Sequence, residues 1–376
     1  MPKAPKQEQE AAREEVTEVA SGVLRMELPI RMPGLGHVNC YALLDERGAA
    51  VVDPGLPGKA SWRELEQRLA RAGLKVRDVH TVVVTHSHPD HFGGATRFAK
   101  EAGARVVAHR SFRFGVAEAA HDEPEVSVDD LTAQTHSHAH AHAHGEPAGE
   151  PEKPTGPVGI APREPWKSGR TPWGGAPPRP SFKMRMRWRV ARWVGGLSFV
   201  PRITDTVVGG DVLRLAKRDW FVVHTPGHTE DHFCLHDPDE GVFLAGDHVL
   251  PTITPHISGL SLREDPLAAY FESLDRVAEI QPVRRVLPAH GHPFADLAER
   301  CRGIQKHHVE RLERVRAIGR DLGLATVEAF SHQLFHPRSW GSMADSETYA
   351  HLEHLRLQGL AEARRERDGN LLYTTG

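Results

Sequence analysis

The stretch His80-Thr-Val-Val-Val-Thr-His-Ser-His-Pro-Asp-His-Phe-Gly-Gly94 joins an apolar run to three histidines, an aspartate and a glycine pair. The valines predict a strand within about 76–85, and the glycine pair leads into a helix to about Ala102. Two imidazoles at i and i+2 on a loop leaving a strand can converge on one metal. Asp90 and His91 can then face a second. Neutral imidazole and carboxylate suit zinc, iron or manganese. An isolated His-x-His is common by chance in a histidine-rich chain. The full pattern, set between a strand and Gly93-Gly94, is far more specific.

Working outward, Asn39–Leu44 and Ala49–Asp53 are apolar runs split by a turn over Asp45–Gly48. Trp62, Leu65, Leu69 and Leu74 recur at helical spacing, and Arg105–Ala108 reads as another strand. Further strands are expected at Trp220–His224, His232–Leu235, Gly241–Gly246 and Arg285–Pro288. Leu267, Tyr270, Leu274, Val277 and Ile280 form one helical stripe. Strands alternating with helices indicate an α/β architecture.

Three more polar elements follow strands. Thr225-Pro-Gly-His-Thr229 places His228 on a loop, Ala245-Gly-Asp-His248 places Asp247 at a strand end, and Pro288-Ala-His-Gly291 does the same for His290. Open α/β sheets bind ligands at strand ends, so these loops can meet in one cleft. His232 and His248 lie beside them and read equally as substrate contacts or as buried supports.

The ordered motifs resemble those of the metallo-β-lactamase superfamily of binuclear metal hydrolases, over about residues 23–120 and 205–295. The resemblance implies an αβ/βα sandwich. It implies that His86, His88 and His228 hold one metal, that Asp90, His91 and His290 hold the other, and that Asp247 bridges them. Asp53, in Val51-Val-Asp-Pro-Gly55, matches the family's aspartate that orients a ligating histidine. The implied cofactors are two divalent ions, zinc first, with iron or manganese as alternatives. A metal-bridging hydroxide would attack a carbonyl or phosphoryl centre, with Asp90 and Asp247 as the catalytic carboxylates.

Downstream, helices are expected over Leu297–Gly319, Thr326–Phe335 and Ser346–Gly359, then a hairpin over Leu360–Thr374. Gln305-Lys-His-His308, Thr326-Val-Glu328 and Ala350-His-Leu-Glu-His-Leu355 are similar to a branch, often called lactamase-β-2-like, that carries a small C-terminal winged-helix domain. That branch includes single-strand endoribonucleases and polyketide thioesterases. The expected organisation is a polar tail over 1–20, a catalytic domain over 21–295 and a winged-helix domain over 296–376.

Composition breaks between 121 and 200. Acidic stretches, proline, glycine and the tract His136-Ser-His-Ala-His-Ala-His-Ala-His144 cannot bury enough apolar surface to order a chain. This predicts a largely disordered insertion. The tract reads as a solvated low-complexity linker with incidental metal affinity. The basic segment Phe182–Val190 alternates as a half-buried strand would, while Met186, Val190, Trp193, Val194 and Leu197 also fit a helical stripe, which is the preferred reading, as a surface-packed amphipathic piece or as a lid or membrane-facing element.

The chain has 376 residues, 26 of them histidine, and a formal net charge of -3 from 47 Lys and Arg against 50 Asp and Glu. That balance argues against a DNA-coating protein. Three separated cysteines exclude a Cys-x-x-Cys zinc site and point to reduced thiols. The Lys-, Glu- and Ala-rich start has no apolar core of a secretory signal, and no apolar run reaches membrane-spanning length, so a cytoplasmic location without stable membrane insertion is expected. Thioester, ester or lactone hydrolysis ranks first, with a small-molecule or acyl-carrier substrate. Single-strand endoribonuclease or phosphodiesterase activity on RNA ranks second, and a non-catalytic metal- or nucleic-acid-binding role third. A homodimer is one option for assembly.

Overall fold

The computed structural model describes residues 6–32, 34–114, 171–174, 199–261 and 263–376. Two sheets stack face to face. The first has seven strands in chain order: β1 (Val16–Ala20), β2 (Val23–Met32), β3 (Leu35–Asp45), β4 (Gly48–Val52), β5 (Val79–Val84), β6 (Arg105–His109) and β7 (Asp205–Val207). Pairing is antiparallel up to β4 and parallel beyond it. The second holds β8 (Val212–Leu215), β9 (Arg218–His224), β10 (Phe233–Asp237), β11 (Val242–Gly246) and β12 (Arg285–Pro288) in the order β12-β11-β10-β9-β8. Only β11 and β12 run parallel in it.

Side-chain alternation builds the layers, because neighbours along a strand point to opposite faces. Val83, Val52, Tyr41 and Leu43 of the first sheet pack between the sheets with Trp220, Val222, Phe233, Leu235 and Leu244 of the second. Their neighbours Val82, Val84 and Val51 point outward, onto α1 (Lys59–Arg71) and α3 (Ala95–Glu101) through Trp62, Leu65, Leu69 and Phe98. On the other side Cys234, Phe243, Ala245 and Val286 meet α4 (Pro266–Glu279) through Leu267, Tyr270, Leu274 and Val277. The order helix, sheet, sheet, helix follows from strands that are apolar on both faces.

The chain then enters α5 (Leu297–Leu322), α6 (Val327–Leu334) and α7 (Ser342–Leu357), with a three-stranded sheet of β13 (Ala325–Thr326), β15 (Leu371–Thr375) and β14 (Ala361–Arg365). The expected boundary at 296 does not separate two cores. Leu297, Cys301 and Ile304 at the start of α5 belong to the core under the second sheet, and Val315 near its end belongs to the C-terminal core. A single long helix contributes to both cores. At the start of α4, Asp265 accepts from Ala268 N–H at 2.9 Å and from His354 Nδ1–H of α7 at 2.9 Å.

A further difference from the sequence reading concerns the start of the chain. Residues 1–20 are not simply a tail. Val16–Ala20 pairs with β2, and Glu8 is fully buried. The short run Val-Thr-Glu-Val-Ala carries too little apolar signal to announce an edge strand. Most of the 121–200 insertion, with the His-rich tract and the basic segment, lies outside the described residues. Of it, Trp173 packs on Tyr349 of α7 at a ring separation of 5.1 Å, and its carbonyl accepts from Leu371 N–H at 2.9 Å. No helix among the described residues is long and apolar enough to cross a membrane.

Candidate metal centre

The polar loops leave the same ends of both sheets, so the seven residues singled out above lie together. Thr85 to His91 leaves β5 and enters the short helix α2 (Pro89–Phe92). Gly93 is required next: a Cβ there would lie 2.1 Å from Pro57 N, against the turn that follows Asp53. Gly227 serves the third motif in the same way. Its φ is +133°, and a Cβ would fall 2.6 Å from Tyr270 Cα in α4.

Two groups of donor atoms result, each within 4.8 Å: His86, His88, His228 and Asp247, and Asp90, His91 and His290. His88 Nδ1 lies 3.0 Å from His86 Nε2 and 3.1 Å from His228 Nε2. Asp90 Oδ2 lies 3.6 Å from both His91 Nε2 and His290 Nε2. Asp247 faces both groups. Its Oδ2 is 3.5 Å from His228 Nε2, 3.6 Å from His91 Nε2 and 3.8 Å from His86 Nε2, while Oδ1 is 3.3 Å from His290 Nε2.

Hydrogen bonds at the far ring nitrogens aim four of the imidazoles. His91 Nδ1–H donates to Asp53 Oδ2 at 2.9 Å, His228 Nδ1–H to His256 O at 2.8 Å, and His290 Nδ1–H to His37 O at 2.6 Å. Thr85 donates to both Asp53 oxygens, through N–H at 2.9 Å and Oγ1–H at 2.7 Å, leaving its oxygen to accept from His86 Nδ1–H at 3.0 Å. In each case Nδ1 carries the proton and Nε2 presents its lone pair inward. Asp53 itself sits at φ +54°, a left-handed conformation that aspartate tolerates better than most residues.

The electrostatics follow from burial and crowding. Burial, with His91 and His88 alongside, holds the His86 imidazole well below its usual value. Burial and then His228 push His88 down to about 3. For His91 and His290 burial acts the same way but is outweighed, by Asp90 and Asp247 at His91 and by Asp247 at His290, and both are raised. Asp247 is held well below the carboxylate range: burial works upward, and His290 and His91 outweigh it.

These residues fit divalent metal. Among the described residues, the buried His91 Nε2, His290 Nε2 and Asp247 Oδ1 have no hydrogen-bond partner. Burying such an atom unpaired costs about 1–3 kcal/mol, and a cation between them relieves the cost. Imidazole nitrogens with carboxylate oxygens are a donor set for zinc, iron or manganese.

His232 takes the supporting role. It is fully buried, its Nδ1–H donates to Thr225 Oγ1 at 2.7 Å, and its Nε2 accepts from Asp247 N–H at 3.0 Å. It braces the backbone of Asp247 and cannot reach a substrate. His248 is likewise fully buried, 5.1 Å from the Tyr270 ring.

Sequence reasoning missed the supports that act through backbone or arrive from afar. The carbonyls of His37 and His256 aim two imidazoles, and a carbonyl leaves no trace in residue identity. His37 is held in turn, donating from Nδ1 to Glu10 O at 2.8 Å and accepting at Nε2 from Gly291 N–H at 3.1 Å. Glu8 accepts from Thr252 N–H at 2.7 Å, Ile253 N–H at 3.0 Å and the Thr252 hydroxyl. The N-terminal segment thus fastens the loops that follow Asp247 and His290.

Comparison with known proteins agrees with this arrangement. A family model described as "Metallo-beta-lactamase superfamily" matches residues 33–290. The probable metallo-hydrolase YqjP of Bacillus subtilis is 25% identical over 360 residues, covering 92% of this chain and 96% of that protein. The crystal structure of the metallo-beta-lactamase family protein TTHA1429 from Thermus thermophilus superposes with a TM-score of 0.67 at 27% identity, covering 96% of this chain and all of that one. A shorter match, 30% identical over 117 residues, links 30% of this chain to 40% of the acyl-coenzyme A thioesterase MBLAC2 of Bos taurus. With the family model spanning well over half its length and the paired His/Asp groups in place, the chain belongs to the metallo-beta-lactamase superfamily and is a metal-dependent hydrolase of it.

Proposed function

We propose that the chain hydrolyses thioesters, or related esters and lactones, at a binuclear centre holding two divalent ions, zinc first and iron or manganese as alternatives. The observation that supports two ions is Asp247, whose carboxylate lies within 3.3–3.8 Å of imidazole nitrogens from both groups. A metal pair held there supplies Lewis acidity and a water acidic enough to act at neutral pH. His86, His88 and His228 hold one side, and Asp90, His91 and His290 the other. Asp90 is placed to orient the attacking water and accept its proton. Asp53 holds His91 in one tautomer, and His232 keeps the Asp247 backbone from moving as charge develops.

The acyl preference draws on the partial match to an acyl-coenzyme A thioesterase. In this reading the C-terminal unit is a winged helix whose central helix serves as a wall. Ala344, Ser346 and Thr348 to Leu355 of α7 are buried, against α4 and the C-terminal sheet. A helix that reads nucleic acid must reach into a groove, and a buried one does not. This weighs against a duplex-binding role for that unit; single-stranded RNA offers no such groove, so the RNA reading ranks second on the partial thioesterase match alone.

The test is protein loaded with zinc or manganese, assayed on acyl thioesters, lactones and single-stranded RNA, with metal content counted. Thioester turnover is expected, lost in Asp90→Ala and His228→Ala together with bound metal. RNA cleavage lost in the same variants, with no acyl substrate turned over, overturns the acyl reading. Unchanged metal content in both variants overturns the binuclear assignment.

A further inference from the structure

A second cavity lies away from the metal centre, between α5, the 252–254 loop and the start of the described chain, with a volume of about 810 Å³. That volume is in the range of small-molecule sites, and the cavity is open on one side to solvent. Its wall carries four cations, Lys6, Arg300, Lys306 and Arg311, against the carboxylates of Glu310 and Glu347. The chain as a whole is net negative, so this positive excess is local to the cavity.

Two of the cations are held in place. Arg300 donates from Nε to Leu250 O at 2.5 Å and from Nη2 to Ile253 O at 2.6 Å, which fixes its charge in the wall. Arg311 is largely buried, paired with Glu347 and 5.2 Å over the Phe335 ring. Lys306 is exposed and only loosely paired, 3.9 Å from Glu310. Among the described residues, His307 Nε2 is buried without a hydrogen-bond partner. A fixed guanidinium, an exposed ammonium and an unspent imidazole nitrogen are suited to phosphate oxygens.

The cavity also adjoins the catalytic machinery. Glu347 Oε2 lies 3.5 Å from His256 Nδ1, and the His256 carbonyl aims His228. The loop after Asp247 is therefore the common wall of both sites. We propose that this cavity binds the phosphate-bearing, nucleotide end of the acyl carrier, so that the preferred substrates are thioesters of the acyl-coenzyme A type rather than free lactones or short neutral esters. The proposal rests on the thioester reading above. The carrier's phosphates dock on Lys306, Arg300 and Lys6, and the acyl end reaches the metal centre past the 252–256 loop.

The experiment uses metal-loaded full-length protein and Lys306→Ala, an exposed change that leaves both cores untouched, with Lys306→Arg as its conservative control. Binding of a nucleoside bisphosphate, the nucleotide end of coenzyme A, is measured by calorimetry. In parallel, kcat and KM are measured for an acyl-coenzyme A and for the same acyl group on a truncated thiol without phosphates. The expected results are binding weakened about tenfold by Lys306→Ala, the scale of one charge-assisted hydrogen bond, and restored by Lys306→Arg. The KM for the coenzyme A ester rises by the same factor at unchanged kcat, and the truncated thioester is unaffected. Inorganic phosphate should compete with the coenzyme A ester alone. Competition against both thioesters places phosphate at the metal centre and overturns the cavity assignment. So does a nucleotide that fails to bind, or binds equally to Lys306→Ala. Nucleotide binding that depends on Lys306 in a protein that turns over no thioester supports the cavity while overturning the thioester reading.

Discussion

The Asp53 carboxylate accepts a hydrogen bond from His91 Nδ1 at 2.9 Å, across a sequence separation of 38 residues and from the end of the neighbouring parallel strand. The same carboxylate takes both donors of Thr85, so one side chain orients His91 directly and His86 through a hydroxyl. Asp53→Asn keeps the left-handed backbone tolerated but presents an amide where charge is needed. Metal affinity should fall about 10–100-fold, read by competition with a chelator, with the melting temperature of the metal-free protein little changed. Affinity within twofold of the wild type would remove Asp53 from this role.

Gly227→Ala tests the close approach of the third-motif loop to α4. The added methyl meets Tyr270 Cβ at 2.5 Å and its backbone Cα and N at 2.6 and 2.8 Å, and φ is +133°. Backbone strain and overpacking together should cost about 3 kcal/mol. Denaturant unfolding checks this, and metal retention should fall as His228 is displaced. A loss under about 1 kcal/mol would mean that α4 yields easily.

Glu8→Ala strips the buried acceptor from Thr252 N–H and Ile253 N–H. An unsatisfied donor costs about 1–3 kcal/mol where it is buried, and less here, because these two N–H groups lie in a part-buried loop. Stability should drop by about 2 kcal/mol, and hydrogen exchange at Thr252 and Ile253 should quicken before that of β5. Unaltered exchange there would show that the N-terminal segment does not hold this loop.

His308 predicts an acid sensitivity. It lies between α5 and α7, donates from Nδ1 to His351 Nε2 at 3.1 Å, and is pushed far down by burial, then by His351 and Arg311. The unfolded chain protonates this imidazole near pH 6.5, while the folded chain keeps it neutral. Below that pH the unfolded state binds more protons, so the stability present above pH 6.5 is lost as pH falls. Urea unfolding between pH 7 and 5 should show a slope shallower by up to about 1.4 kcal/mol per pH unit in His308→Gln. Parallel slopes for variant and wild type would contradict the neutral buried form.

The inner strands could be read from sequence because they are apolar on both faces. Val82, Val83 and Val84 serve two cores in alternation, which leaves an unbroken valine run. Two of the edge strands could not. Asp205–Val207 and Val212–Leu215 bury little, so polar residues are tolerated there and the pattern vanishes. The C-terminal helices were located to within a few residues, but not the fact that α5 passes from one core into the next. Periodicity reports that a face is buried and is silent on what buries it.

By itself the sequence singled out the residues that the fold gathers at the strand ends. Histidine and aspartate at strand ends are costly to bury without a charge to meet, and glycines beside them mark where backbones touch. Only the tertiary structure decided how those residues are held and what surrounds them. The carbonyls of His37 and His256, the carboxylate of Glu8 and the cations around Lys306 are supplied by segments up to about 250 residues away. Orientation of an imidazole depends on where an acceptor sits in space, and any residue has a carbonyl to offer. That information exists only once the two sheets, the N-terminal segment and the C-terminal helices have closed around the same strand ends.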